Sequence, residues 1–240
     1  TEVEGQYGEV NKITTLNDKF YFYQDRAFGL ASINDRSVIN DENGVALTLG
    51  SGGILDDYGY VSRISGTKQK FAVVPTDSQI HHFDTLLKKW MVYTQSATLP
   101  LSDVKGLKSF FKRLNTNILK DDRVLLNNGI HGVYDPIRGK VIFTLLEAYL
   151  SGNSKIAESY TASFNNNTQS FESFSDDKPL LWLRNGGNIL SVNPLSPQEG
   201  WLSYAGAKNS FYGTVYDSTI EIYINPMADI ACVMDNLEYK

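Results

Sequence analysis

The sequence predicts an all-β fold of antiparallel hairpin repeats, β-propeller-like in architecture, with one amphipathic helix near 102–114. Three observations predict it. First, three stretches share a pattern: an aromatic, then Asp or Asn, a polar turn, and an apolar residue seven positions after the aromatic. They run from Phe83-Asp84 to Trp90, from Tyr134-Asp135 to Val141 and from Phe164-Asn165 to Phe171. Each has the chemistry of a tight hairpin, in which the Asp or Asn side chain bonds its own backbone to start the turn. A Lys, Gly or Gln then stands near the turn exit. Second, the aromatic set is large (14 Tyr, 12 Phe and 3 Trp), which suits pleated, half-buried surfaces better than helices. Third, a helical period appears in one stretch only. A chain that reuses one hairpin is expected to be built by radial or stacked repetition of antiparallel sheet.

Taken in order, Lys19–Tyr23 and Phe28–Ile33 read as strands, one aromatic-rich and the other alternating. Asn43-Gly44, between Val38-Ile39 and Val45-Ala46-Leu47, is the strongest short hairpin signal. The glycine-rich loop Gly50-Ser51-Gly52-Gly53, leading to Asp56-Asp57-Tyr58, has neither phosphate-cradle spacing. It reads as a connecting loop whose glycines permit close backbone approach, and Gly50, Ser51, Gly52, Gly53, Asp56, Asp57 and Tyr58 are the candidate assembly contact. Strands follow at about 70–75, 79–84 and 88–94. Ser102 is placed to cap the helix and Asp103 suits its first turn. Val104, Leu107, Phe110, Phe111 and Leu114 make its apolar face, with Lys105, Lys108, Lys112 and Arg113 on the solvated side. Hairpins are expected at about 131–146, 157–175 and 180–193. Paired strands follow at about 201–204 and 211–224, ending in the alternating Thr219–Ile224.

Composition narrows the function classes. A net charge of −5 argues against a simple nucleic-acid binder. No apolar run approaches the roughly 18 residues that span a bilayer. One cysteine, Cys232, cannot form an internal disulfide or by itself a structural zinc site. The chain begins without Met and reads as an internal piece of something longer: one β-rich domain over 1–240, with a subdivision point near 115–128.

Catalytic patterns are weak. His81 and His82 are neighbours on a strand and point to opposite faces, a poor start for a metal centre. His131 opens a hairpin strand, where a structural hydrogen bond is expected. Asp56-Asp57 and Asp176-Asp177 are sequence neighbours, whereas glycosidase carboxylates flank a bond several ångströms apart. Ser175-Asp176-Asp177-Lys178-Pro179-Leu180-Leu181-Trp182 resembles the Asp box of sialidases, with Pro179 where the turn glycine belongs. In that family the box is a structural turn between propeller strands. No catalytic residue, metal or cofactor is expected.

The run Gly129-Ile130-His131-Gly132-Val133-Tyr134-Asp135-Pro136-Ile137-Arg138-Gly139-Lys140-Val141-Ile142-Phe143-Thr144 is similar to a segment of the crAss-like bacteriophage tail muzzle (stabilization) proteins. Asn17–Gln24, Leu47–Leu55, Leu101–Gly106, Phe211-Tyr212-Gly213 and Asp235–Tyr239 match further pieces in the same order. The resemblance implies a non-enzymatic virion structural protein in the phage tail, made in the bacterial host cytoplasm. It implies a homo-oligomeric ring around the DNA exit channel that contacts other phage tail proteins, with no membrane segment and no tight nucleic-acid binding. The uneven motif spacing, 51 residues (83 to 134) and then 30 (134 to 164), leaves both a closed propeller and a partial one completed by further chain open. The alternative is a carbohydrate-binding or host-surface adhesin module on the same scaffold, and the remote one a propeller glycosidase.

Overall fold

The computed structural model describes residues 2–32, 37–40, 46–49, 57–114, 129–146 and 159–219. The chain divides into two compact units, Thr1–Ala205 and Gly206–Lys240. The subdivision expected near 115–128 lies outside the described residues.

The first unit opens with β1 (Val10–Leu16), β2 (Lys19–Gln24), β3 (Phe28–Ser32), β4 (Ser37–Asn40), β5 (Ala46–Leu49) and β6 (Asp57–Ser62). Sheet 1 has the order β1-β2-β3-β6, and β4 pairs with β5 as a separate hairpin. The strands flanking Asn43-Gly44 therefore pair as expected, while that turn itself lies outside the described residues. Sheet 2 contains β7 (Val73–Pro75), β8 (Ile80–Asp84), β9 (Lys89–Tyr93) and β10 (Thr98–Pro100). Sheet 3 contains β11 (Gly129–Asp135), β12 (Lys140–Leu146), β13 (Tyr160–Asn165) and β14 (Ser170–Ser175). Sheet 4 has three strands, β15 (Trp182–Asn185), β16 (Asn188–Val192) and β17 (Gly200–Leu202). All four are antiparallel meanders in chain order. The first strand of each touches the first strand of the next: β1 lies beside β7, β7 beside β11, and β11 beside β15.

Sheet faces pack in series. Leu16, Tyr21, Tyr23 and Phe28 of sheet 1 meet Val73, Ile80 and Tyr93 of sheet 2. The other face of sheet 2, with Val74, Phe83, Trp90 and Val92, meets Ile130, Val141, Phe143 and Phe164 of sheet 3. Val133 and Ile142 then pack on Trp182 and Ile189 of sheet 4. At the centre, Trp90 stands edge-on to Phe143 with ring centroids 4.5 Å apart, within the range where aromatic pairs add to simple area burial.

The helix expected over 102–114 is two short ones, α1 (Leu101–Val104) and α2 (Lys108–Lys112). Gly106 is the reason. It adopts φ +105°, the Leu107 amide donates to the Ser102 carbonyl, and the helix stops in a glycine-terminated cap. Ser102 is not the N-cap. Pro100 holds that position, and Ser102 is buried inside the first turn. The break also turns Val104 out to solvent, whereas Leu101, Phe111 and Leu114 join the core beside Phe83 and Trp90. Lys105, Lys108, Lys112 and Arg113 are exposed, as expected.

The strand expected at 201–204 is β17, and it pairs with β16. In the second unit, β18 (Ser210–Phe211) and β19 (Thr214–Val215) pair with each other. The alternating run from 220 to 224 lies outside the described residues. The repeated motif joins β8 to β9, β11 to β12 and β13 to β14. It marks individual hairpins at different places in two sheets, which explains its uneven spacing, while the repeating unit is the meander.

The linker from sheet 1 to sheet 2 depends on Gly66. A Cβ there would stand 2.3 Å from the Gln24 carbonyl oxygen and 2.6 Å from the Ala27 nitrogen, backbone atoms that cannot swing aside. Gly59, on β6, faces open space. Gly66→Ala is therefore expected to lose about 3 kcal/mol in urea denaturation, and Gly59→Ala less than about 0.5 kcal/mol.

Candidate functional site

The three motif turns share one construction. Leu86 N and Leu87 N donate to Asp84 Oδ1 at 2.9 and 2.8 Å. Ile137 N and Arg138 N donate to Asp135 Oδ1 at 3.0 and 3.1 Å. Asn167 N and Thr168 N donate to Asn165 Oδ1 at 2.8 and 3.2 Å. Four residues beyond the Asp or Asn, the exit residues Lys88, Gly139 and Gln169 have φ of 54°, 64° and 55°. The expected aromatic–apolar pairs, Phe83 with Trp90, Tyr134 with Val141 and Phe164 with Phe171, sit directly opposite each other.

The second side-chain atom explains why two turns use Asp and one uses Asn. Asp84 Oδ2 accepts from Gly66 N at 3.2 Å, tying the turn to the sheet 1–sheet 2 linker. Burial pushes the Asp84 carboxyl up in pKa, against the pull of these amides and of Ser65. Asp135 Oδ2 accepts from Arg138 Nη1 at 3.1 Å. Asn165 must instead donate, from Nδ2 to Glu172 Oε1 at 2.7 Å, while Glu172 Oε2 lies 2.5 Å from Lys140 Nζ. Burial would push the Glu172 carboxyl up, but Lys140 and the Asn165 amide outweigh it and hold it below its ordinary value.

Each seam between sheets contains one histidine. His81 and His82 face opposite sides of β8, as the sequence implies. His81 accepts from Trp90 Nε1 at Nδ1, 3.1 Å away, and lies against Phe164 in the sheet 2–sheet 3 seam. His82 stands edge-on to Tyr23 and Phe28 in the sheet 1–sheet 2 seam, with Nε2 3.0 Å from Ser65 Oγ. His131 donates from Nε2 to the Pro179 carbonyl at 3.0 Å, the structural hydrogen bond expected of it, and this bond reaches the sheet 3–sheet 4 linker. Desolvation pulls all three imidazoles down to about 3. The neighbouring Asn166 side chain offsets little of this for His81, and the Pro179 carbonyl little for His131. Neutral and enclosed, they serve packing rather than proton transfer at neutral pH.

Of the two carboxylate pairs, Asp176-Asp177 is described in full, whereas Asp56 lies outside the described residues. Asp176 is exposed and Asp177 buried, on the connection from β14 to β15. The segment resembling an Asp box is thus a link between two sheets rather than a turn within one. Its Trp182 is buried and donates to Thr144 Oγ1 at 2.9 Å, which is also bonded to Thr161 Oγ1. Of the candidate contact loop, Gly50, Ser51, Gly52, Gly53 and Asp56 lie outside the described residues. Asp57, exposed, and Tyr58, edge-on to Phe22, begin β6. Sequence reasoning missed Gln24, which is fully buried. It donates to the Glu4 and Gly8 carbonyls at 3.0 and 2.7 Å and accepts from Tyr60 Oη at 2.9 Å. The available signal was a polar residue ending the buried run Tyr21-Phe22-Tyr23.

Antiparallel meanders joined at their seams, with their interior ionisable groups absorbed into packing, define a structural β-sheet module. The sequence matches the crassvirus muzzle protein family over residues 1–195, and the chain belongs to that family. A curated relative, the muzzle protein of Bacteroides phage crAss001, is 20% identical over all 240 residues. This chain spans 16% of that relative's length. Among solved structures, a crystal structure of a nidogen/laminin complex aligns with a TM-score of 0.38 and 13% identity, covering 80% of this chain and 64% of that one. Likeness at that level carries no argument.

Two outcomes test the site. Asn165→Asp sets a new carboxylate against Glu172 and is expected to lose about 1 kcal/mol. Adding Glu172→Gln should recover most of that loss, because the pair regains a donor. For the histidines, the folded pKa lies below the unfolded 6.5, so the unfolded chain binds more protons between pH 6.5 and 3. Stability is full above pH 6.5 and falls below it. Each imidazole should remove about 2 kcal/mol between pH 7.5 and pH 5. His131→Gln, which keeps a donor for Pro179, should reduce that pH-dependent loss by about the same amount in paired urea titrations.

Proposed function

We propose that this chain is a non-enzymatic structural module of a phage tail muzzle, working through protein–protein contacts with a homo-oligomeric ring and other tail proteins. One observation carries the reading beyond the family match. The three histidines, Asp84 and Asp135 are all committed to joining strands, turns and linkers, so the interior chemistry is that of a rigid scaffold.

The module is propeller-like. Four meanders follow one another face to face, and the first strands β1, β7, β11 and β15 are neighbours in series, as the innermost strands of blades are. This reading fails if a crystal structure places those four strands other than around a common axis. The acidic balance of −5 offers few cations to DNA phosphates, which suits a wall that DNA passes without being held.

The Gly50–Tyr58 loop is the assembly contact. In support, its glycines permit close approach and the exposed Asp57 stands where the loop enters β6. A photo-crosslinking amino acid in place of Tyr58, in assembled particles, should join this chain to a second copy or to another tail protein. Crosslinks confined to this chain would remove the loop from the assembly surface.

A further inference from the structure

Charge is distributed unevenly along this chain. Residues 88–114 carry six Lys and Arg against one acid, Asp103, a net +5; the whole chain carries −5, and the remainder therefore −10. The fold gathers those cations at one end of sheet 2. Lys88, in the β8–β9 turn, donates to the Leu114 carbonyl at 2.9 Å, and Lys89 pairs with Asp103 at 2.7 Å, so the turn and both helices form one surface. Lys105, Lys108 and Lys112 are exposed on it, and their side chains form no ion pair or hydrogen bond among the described residues. Val104, 66% exposed, adjoins Lys105, and the exposed Leu86 and Leu87 precede Lys88 in the turn. The opposite end of sheet 2 is acidic. β8 has five residues and separates the two ends by about 16 Å. Where β8 starts, an open groove of about 600 Å³ lies between the β1–β2 and β7–β8 turns, with Asp18 and Asp77 in its lining. Both are exposed, and neither forms an ion pair among the described residues; Asp77 accepts from Tyr134 Oη at 2.8 Å. The pairing of Asp57 with Ser32 brings a third exposed carboxylate to that end of sheet 1, with Lys19 as the cation beside them.

We propose that the cationic surface of the β8–β9 turn, α1 and α2 is an interaction surface for a second copy of this chain, and that it receives the acidic turn end of sheets 1 and 2 of that copy. The proposal rests on the homo-oligomeric reading and on the assembly role given to the Gly50–Tyr58 loop, whose Asp57 belongs to the acidic end. Opposite charges at opposite ends of one sheet favour head-to-tail contact. Such a contact is heterologous, and copies joined in that way form a ring when the rotation between them closes. Complementary potentials also fix the register and suppress the wrong approach, because two cationic ends repel. Val104, Leu86 and Leu87 beside the lysines suit a protein surface, whose apolar atoms they would cover, better than a row of phosphates. The corresponding cations of sheet 3 do not compete for the acidic end, since Arg138 and Lys140 are paired there with Asp135 and Glu172.

Self-association of the full 240-residue chain, followed by sedimentation velocity, tests the pairing. The chain should associate at about 0.05 M salt and be monomeric at about 1 M, where screening shortens to about 3 Å. Lys105→Glu/Lys108→Glu/Lys112→Glu should weaken association by about tenfold or more, with urea stability nearly unchanged because all three side chains are exposed. Asp18→Asn/Asp77→Asn keeps the turn and the acceptor for Tyr134, and should weaken association as well. Lys19→Glu adds a carboxylate to the acidic end and should tighten association, whereas simple repulsion between chains of larger net charge would weaken it. A chain that stays monomeric at low salt overturns the proposal, as does unchanged association in the triple lysine variant or weaker association in Lys19→Glu. A DNA duplex that the chain binds and the lysine variant does not, without self-association, assigns the surface to phosphates and overturns it too. If a Tyr58 crosslink to a second copy survives in the lysine variant, the loop keeps its role and only this pairing fails.

Discussion

A sheet with neighbours on both sides has no wet face, and the polar groups it buries find most of their partners across a seam or along a linker, although His82 Nδ1 and His131 Nδ1 are left without one. Sheet 2 shows the consequence most clearly. All five residues of β8 are buried, including two histidines and an aspartate. None could stay there with an unsatisfied charge, because an isolated buried ion is penalised far more than a hydrogen bond repays. The histidines respond by losing their proton. Asp84 responds by gathering the amides of Leu86, Leu87 and Gly66. The same requirement thus fixes both the protonation states and the connections between sheets.

Those connections explain how separate meanders become one body. His82 and Asp84 reach Ser65 and Gly66 on the first linker, and His131 reaches Pro179 on the third. In each case a side chain inside a strand hydrogen-bonds the chain that carries the polypeptide to the neighbouring sheet. A linker held this way cannot drift without exposing a buried polar atom. Ion pairs add little by comparison. Most join part-exposed groups, such as Arg63 with Glu4 and Lys68 with Asp25, and pairs of that kind contribute about 0–1 kcal/mol.

Much of this was legible in the sequence, and the limits have physical causes. The Asp or Asn turns were readable because their chemistry is local, needing two amides within three residues of one side chain. The opposite orientation of His81 and His82 followed from the two-residue period of a strand. The break at Gly106 was also written in the chain, as a glycine just after the first helical turn, but the apolar spacing through Leu107 and Phe111 masked it. The assignment of one histidine to each seam could not be read, because it depends on which sheets face each other. For the same reason, the choice of Asn at 165 made sense only once Glu172 was placed across the hairpin. Of the candidate contact loop, only Asp57 and Tyr58 fall within the described residues, so the structure adds little to what its glycines already implied.

The packing of this chain predicts a stability with little dependence on ionic strength. Salt screens exposed charges over a length of about 10 Å at 0.1 M but leaves buried apolar seams nearly untouched. Because the seams rest on Trp90, Phe143, Phe164 and their neighbours, ionic strength acts mainly on the surface. Protons act on the interior, since the price of burying three imidazoles is that acid favours any state that exposes them. The module therefore joins tolerance of salt with sensitivity to acid. Both follow from one arrangement: successive sheets closed against water, with an uncharged histidine in each of the three seams.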